Sequence, residues 1–223
     1  MTEKIQKIEN YVKSLPEDRK PAHGYDHVSR VRNWAIKIAR AENFPDLEMV
    51  EAAALLHDIG RTIPQEQGKT HGELSARLAE KFLNKNKLFG QLEITQICEA
   101  VAHHSDIKEI KSNLLDILRD ADILDLLGPI GILRGAMAEH HLKIFNEENI
   151  KGETWGMTNV DFNRDYAGKI GKWATLPDQY NFQMSCFYNL KTDYAKKIAE
   201  PMAQFMKNFV LEVEKQANNC LER

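Results

Sequence analysis

The chain has 223 residues, of which 28% are charged and 43% hydrophobic, and its formal net charge at pH 7 is -3. This length and mixture fit one globular domain with a substantial core, and exclude disordered, fibrous and membrane compositions. A duplex DNA or RNA partner is disfavoured because the phosphate backbone selects for a basic face, whereas small anionic substrates stay open through a bound cation that reverses the local field.

The opening stretch MTEKIQKIENYVKSLPEDRK is polar and amphipathic, with no apolar signal region. No later run approaches the roughly 18 apolar residues of a membrane span. Cys98, Cys186 and Cys220 are an odd number, widely spaced, with no CxxC pair, so neither a disulfide framework nor a thiolate zinc site is suggested. These features predict a cytoplasmic protein with no membrane partner; they leave the oligomeric state open.

Between residues 26 and 127 the hydrophobic period is helical nearly everywhere, which predicts an all-α bundle of five core helices. Asp26 is expected to cap a helix whose stripe is Val28, Val31, Ala35 and Ile38. LEMVEAAALLHDIG supplies a second helix ending at Gly60. Thr70-His71-Gly72-Glu73 fits a capping box at the head of a third, with Leu74, Leu78 and Phe82 facing inward. Ile94, Ile97 and Val101 mark a fourth, and Leu115, Leu118 and Leu126 a fifth that Gly128-Pro129 stops.

Residues 146–182 combine Gly, Asn and Asp with scattered aromatics and weak periodicity, which reads as a long ordered insertion. A last helix is expected over 184–217, with Ile198, Met202, Phe205, Phe209 and Val213 on one face and a kink or break at Pro201. The organisation is a single domain, with a core over about 20–140 followed by the insertion and C-terminal helices over 141–223.

Several polar residues occupy places where the stripe would otherwise put aliphatic ones. His27 lies four residues before Val31, and His57-Asp58 closes the apolar run AAALL. Asp122 follows Leu118 by four and Leu115 by seven, on the buried stripe, where an ionised carboxylate is costly unless a cation or donors compensate it. One inward His alone reads as a hydrogen-bonded core residue, and one inward Asp as a capping or salt-bridge partner. The joint order His27, His57-Asp58, Asp122, each on its own helix and facing one core, points instead to a shared divalent ion. Imidazole with carboxylate suits Mn, Fe, Co, Ni or Zn better than Mg.

GYDHV, ALLHDIGR and LRDADILDLLG together resemble the H…HD…D signature of the HD superfamily of metal-dependent phosphohydrolases. HGELSA and FYNLKTDYAKKIAEPMAQFMKNF are similar to a small bacterial branch that includes nucleotide pyrophosphohydrolases. The resemblance implies one divalent metal held by His27, His57, Asp58 and Asp122, with Asp122 chosen among Asp120, Asp122 and Asp125. Helix phase agrees: Asp120 shares the stripe of Asp116 and reads as a solvated or salt-bridged acid, while Asp125 faces inward and is a candidate to orient a histidine.

A phosphorylated small-molecule substrate, expected to be a nucleotide, would be hydrolysed with Asp58 as the catalytic residue that orients or deprotonates water. Arg61, His71 and His104 are the expected substrate-binding residues, and Arg134 reads as a salt-bridged or surface arginine. A second metal at His71, His103 and His104 is left open. HHS in place of the diesterase HHE, and the missing GYP extension, favour one. Rival readings on the same fold are a two-metal phosphodiesterase or dinucleotide polyphosphatase, a di-iron oxygenase, and a nucleotide-binding regulator without turnover.

Overall fold

The computed structural model describes residues 1–16, 21–106, 110–157, 161–162, 164 and 174–221. Part of the expected insertion over 146–182 lies outside them. Among the described residues the regular structure is helical, as the periodicity predicts, and no helix is long and apolar enough to cross a membrane. The chain divides into two compact units, residues 1–122 and 123–223.

The first unit begins with α1 (Glu3–Ser14), which buries Ile5 and Ile8. The second helix, α2 (Tyr25–Ala41), starts earlier than expected. Its N-cap is Gly24, and Asp26 sits in the first turn, where its charge still faces the positive end of the helix dipole. The buried stripe of α2 is His27, Val28, Val31, Ala35, Ile38 and Ala39, so the inferred face is right and includes the histidine. In α3 (Leu47–Leu56), Asp46 caps the N-terminus by accepting from the Met49 N–H at 3.1 Å. This helix stops at Leu56 rather than running to Gly60, and a 3-10 turn over Ile59–Thr62 follows.

His57 keeps helical dihedrals as the C-cap, at φ -60 and ψ -36, and the backbone leaves the helix at Asp58, at φ -110 and ψ 6. The expected capping box is present at α4 (His71–Asn86), with Thr70 accepting from the Glu73 N–H and Glu73 accepting from the Thr70 N–H. Such caps contribute about 1 kcal/mol each and fix where His71, the first helical residue, begins. Next come α5 (Gln91–His103) and α6 (Asn113–Leu126), whose first turn is capped by Ser112 Oγ accepting from the Leu115 N–H at 3.3 Å. α6 buries Leu114, Leu115, Ile117, Leu118, Ala121 and Leu124, on nearly all sides. Asp120 is therefore fully buried rather than solvated, a correction to the two-face reading of this helix.

Close approach at two glycines draws α4, α5 and the 59–62 turn together. A Cβ on Gly72 would meet the Ala102 carbonyl oxygen at 2.5 Å, and one on Gly60 would meet the His71 carbonyl oxygen at 2.4 Å. The Gly60 N–H donates to Ser75 Oγ at 2.7 Å, tying the turn after His57-Asp58 to α4.

The second unit contains the end of α6, then α7 (Gly128–Ala138), α8 (Leu176–Ser185) and α9 (Asp193–Leu221). Gly128, at φ 70, gives the one-residue break that α7 needs, with Pro129 in its first turn. Arg134, buried to 7% exposure, donates to Asp125 Oδ2 at 2.9 Å and to the Asp125 carbonyl oxygen at 3.1 Å. Arg134 is thus the salt-bridged arginine of the expectation, and Asp125, predicted to orient a histidine, is held by this arginine. Helix α8 was not expected within the irregular stretch. Its signal is Thr175, which caps it, followed by Pro177 in the first turn. Helix α9 starts later than predicted and continues through Pro201 without ending. Its buried line is Ala195, Ala199, Met206, Val210 and Ala217, one residue out of phase with the predicted face, which leaves Phe205 48% exposed.

Candidate metal centre

Six side chains of the first unit converge. His27 comes from α2, His57 and Asp58 from the end of α3, His71 from the head of α4, His104 from just beyond α5, and Asp122 from α6. Three overlapping groups, His27–His57–Asp58, His57–His104–Asp122 and Asp58–His71–His104, each have donor atoms within 4.8 Å of one another. His27 Nε2 lies 3.2 Å from His57 Nε2, 3.8 Å from Asp58 Oδ2 and 3.5 Å from Asp122 Oδ1, and His57 Nε2 is 3.7 Å from Asp58 Oδ2. His27 Nε2 thus lies within 3.8 Å of an atom of each of the other three residues expected to hold one ion. His71 and His104, expected to touch substrate, are 3.2 Å apart at Nε2 and lie 3.4 and 3.6 Å from Asp58 Oδ1.

Backbone carbonyls set the histidine tautomers. His57 Nδ1 donates to the Ala54 carbonyl oxygen at 2.8 Å, and His104 Nδ1 donates to the Val101 carbonyl oxygen at 2.8 Å. A carbonyl can only accept, so in each neutral ring the proton sits on Nδ1 and the Nε2 lone pair is turned toward the cluster. Arg61 Nη2, which can only donate, reaches His71 Nε2 at 3.1 Å and marks that nitrogen as a lone pair too. The facing lone pairs of His71 and His104 repel unless a cation or a proton lies between them.

Asp58 Oδ1 is buried without a hydrogen-bond partner, between those two rings. An orphaned carboxylate oxygen beside converging lone pairs is the arrangement that a positive ion resolves. The residues present fit a divalent metal.

The charges agree. Burial pushes the His57 imidazole down to about 4 against the pull of Asp58, and burial with the Arg61 charge takes His71 down to about 4, so both rings are neutral and ready to ligate at pH 7. Burial also opposes the His104 cation, yet the adjacent Asp58 carboxylate and the charge of Asp122 outweigh it and raise this histidine. Burial works against ionised Asp58 and Asp122, but the surrounding histidines overcome it, holding Asp58 well below the carboxylate range and Asp122 at about 2.

Arg61 Nε lies 2.8 Å from Asp58 Oδ2 while Nη2 holds His71, so its charge bridges two cluster residues and the side chain stays 25% exposed. His103 points elsewhere. Its Nδ1 pairs with Asp106 Oδ2 at 2.6 Å, and Arg119 Nη2 donates to Asp106 Oδ1 and to the His103 carbonyl oxygen, both at 2.9 Å. This lock fixes the end of α5 next to His104. Sequence reasoning missed Arg119, Gly72 and Ser75 as supports; only their proximity to the quoted motifs marked them.

Residues 24–127 match the HD domain family. YpgQ of Bacillus subtilis (strain 168) is 28% identical over 214 residues, covering 94% of this chain and 92% of its own. Its crystal structure in complex with ADP has a TM-score of 0.64 at 20% identity, covering 95% of this chain and 97% of that one. An HD-superfamily hydrolase from Bacillus thuringiensis superposes with a TM-score of 0.70 at 22% identity over 97% of both chains. Ribonuclease Y of Enterococcus faecalis is 27% identical over 133 residues, 57% of this chain but 24% of its own length. With the motif, the helical fold and the histidine–aspartate cluster in agreement, residues 24–127 of the chain carry an HD domain.

Proposed function

We propose that the protein is a metal-dependent phosphohydrolase of small phosphoesters or phosphoanhydrides, with a nucleotide as substrate. The observation that carries this reading is the set of outward lone pairs: Nδ1 of His57 and His104 is tied to backbone carbonyls, so Nε2 of both is left free beside the carboxylates of buried Asp58 and half-buried Asp122. His27, His57, Asp58 and Asp122 would hold the ion, with nitrogen and oxygen donors that suit Mn, Fe, Co, Ni or Zn. When bound, a divalent ion acidifies water and polarises a phosphoryl oxygen.

The chain's own residues supply the rest. Asp58, kept ionised by its neighbours, orients the attacking water through an acceptor oxygen and takes its proton. Arg61 stands beside Asp58 with part of its guanidinium exposed, in position to neutralise charge spreading over phosphate oxygens. The ADP complex of YpgQ favours a nucleotide among the substrates consistent with this chemistry.

A two-metal reading has one observation in its favour. Asp58 offers Oδ2 to His27 and His57 and Oδ1 to His71 and His104, so one carboxylate faces two sets of imidazoles. His71 and His104 would then be ligands rather than phosphate donors, and diester hydrolysis would come within reach.

The test is a panel of nucleotides, dinucleotides and phosphodiesters incubated with Mn, Co, Ni, Mg and Fe, with products identified. Release of phosphate or pyrophosphate by wild type but not by Asp58→Ala is the expected result. No phosphorus–oxygen cleavage with any metal would overturn the reading.

A further inference from the structure

The buried carboxylate of Glu9, in α1, has no task in the proposed hydrolysis, and the residue is only 7% exposed. It accepts a hydrogen bond from the Tyr25 hydroxyl and pairs with Lys13 Nζ at 2.7 Å, and Arg32 Nη1 stands 3.8 Å from its Oε2. Hydrogen bonding to Lys13, then to Tyr25, lowers its pKa against burial, so the carboxylate is ionised at neutral pH. Arg32 carries the connection onward by donating from Nε to Glu51 Oε2 at 2.8 Å. One charged network thus joins α1, α2 and α3, and α2 and α3 are the helices that deliver His27 and His57.

Helix phase gives the network its consequence. Arg32 follows Tyr25 by seven residues, two turns, so both lie on one side of α2, whereas His27, two residues after Tyr25, projects from the opposite side. Glu9 therefore grips α2 from behind the face that presents His27. A slide or rotation of α2 that this grip prevents would change the 3.2 Å between His27 Nε2 and His57 Nε2, and the 3.5 Å between His27 Nε2 and Asp122 Oδ1. A buried ion pair adds little stability over apolar packing of the same volume, and fixing register is its best-attested use. Because α1 precedes residues 24–127, the part that matches the HD domain, the family signature does not account for Glu9.

From this arrangement we infer that Glu9 is a positioning residue of the metal centre, through which α1 acts on Tyr25 and Arg32 to set where α2 presents His27. Glu9 touches neither the ion nor the substrate. The inference rests on the reading of the histidine–aspartate cluster as a metal site, and it makes α1 a working part of that site rather than a covering helix.

The experiment measures manganese binding to the full chain by calorimetry, without substrate, beside the thermal unfolding of metal-free protein. Glu9→Leu should weaken manganese about tenfold, the low end of the range for groups that orient metal ligands. Tyr25→Phe should do the same, and it keeps the test open should Glu9→Leu fail to fold, since it loses only a hydroxyl. The two together should weaken binding no more than either alone, because both break one contact. Glu9→Gln still accepts from Tyr25 and should keep most of the affinity. Leu83→Ala, a truncation at a fully buried position near the far end of α4, is the control for stability: it should lower Tm and leave manganese affinity unchanged. Unchanged affinity in Glu9→Leu and Tyr25→Phe, an equal loss in Leu83→Ala, or a Glu9→Gln as weak as Glu9→Leu would overturn the inference. Wild-type protein that takes up no manganese would instead sink the metal reading, and the inference with it.

Discussion

In Gly72→Ala the new methyl would lie 2.5 Å from the Ala102 carbonyl oxygen and 3.1 Å from that of Val101, whereas ordinary contact begins at 3.4 Å. Both obstacles are main chain of α5, so no side chain can rotate away, and α4 and α5 must part by up to about 1 Å. Alanine in place of glycine favours a helix by up to about 1 kcal/mol. Overpacking against rigid backbone costs about 1–3 kcal/mol and wins.

The net loss of about 1–2 kcal/mol corresponds to a Tm decrease of about 2–8 °C for a chain of this size. The functional effect is larger. Gly72 adjoins His71, and the Val101 carbonyl that it would press upon is the acceptor that sets the tautomer of His104. A shift of about 1 Å at such a site lowers kcat on the order of 10²-fold. Differential scanning calorimetry with steady-state kinetics reads both effects. An unchanged or higher Tm with full activity would refute the claim that this helix contact positions the two histidines.

Asp58→Ala should abolish hydrolysis and lower bound metal while the circular dichroism of the helices persists, because the apolar core of α2 to α6 is untouched; a chain that no longer folds would instead make Asp58 a structural residue. Burial and the Glu80 charge push the Cys98 thiol up to about 12, whereas Cys220 is exposed; iodoacetamide at pH 8 followed by peptide mass spectrometry should label Cys220 and spare Cys98, and equal labelling would contradict that environment. In metal-free protein, His57 and His71 bind protons less readily than in the unfolded chain, so their stabilising contribution is full above the ordinary histidine value and is lost as pH falls toward 4. His104 contributes in the opposite sense, stabilising at low pH and losing that effect as pH rises through its raised value. Two lowered histidines against one raised predict a lower Tm at pH 5 than at pH 7.5 in chelator, and a Tm that rises on acidification would contradict this balance.

Local signals made the first unit legible in the sequence and much of the second illegible. The 3.6-residue period gave α2, α4, α5 and α6, and Thr70 with Glu73 gave the start of α4 because a capping box is a purely local device. His27 and Asp122 could be singled out as candidates because a polar residue on an apolar stripe is costly without a partner. The end of α3 was misplaced because LEMVEAAALLHDIG reads as helix to Gly60, and only contact between Gly60 and Ser75 explains the tighter turn. The phase of α9 was off by one residue, since Phe205 and Met206 are both apolar and only packing tells which is buried. The roles of His71 and His104 likewise depend on which oxygen of Asp58 faces them, a distance no spacing encodes.

The central claim is that His27, His57, Asp58 and Asp122 hold a divalent ion, and anomalous diffraction from crystals grown with manganese tests it most directly. A peak about 2.0–2.3 Å from Nε2 of His27 and His57 and from a carboxylate oxygen of Asp58 and of Asp122 is the predicted result. A peak elsewhere, or none with Asp122 turned away from the histidines, would contradict the account.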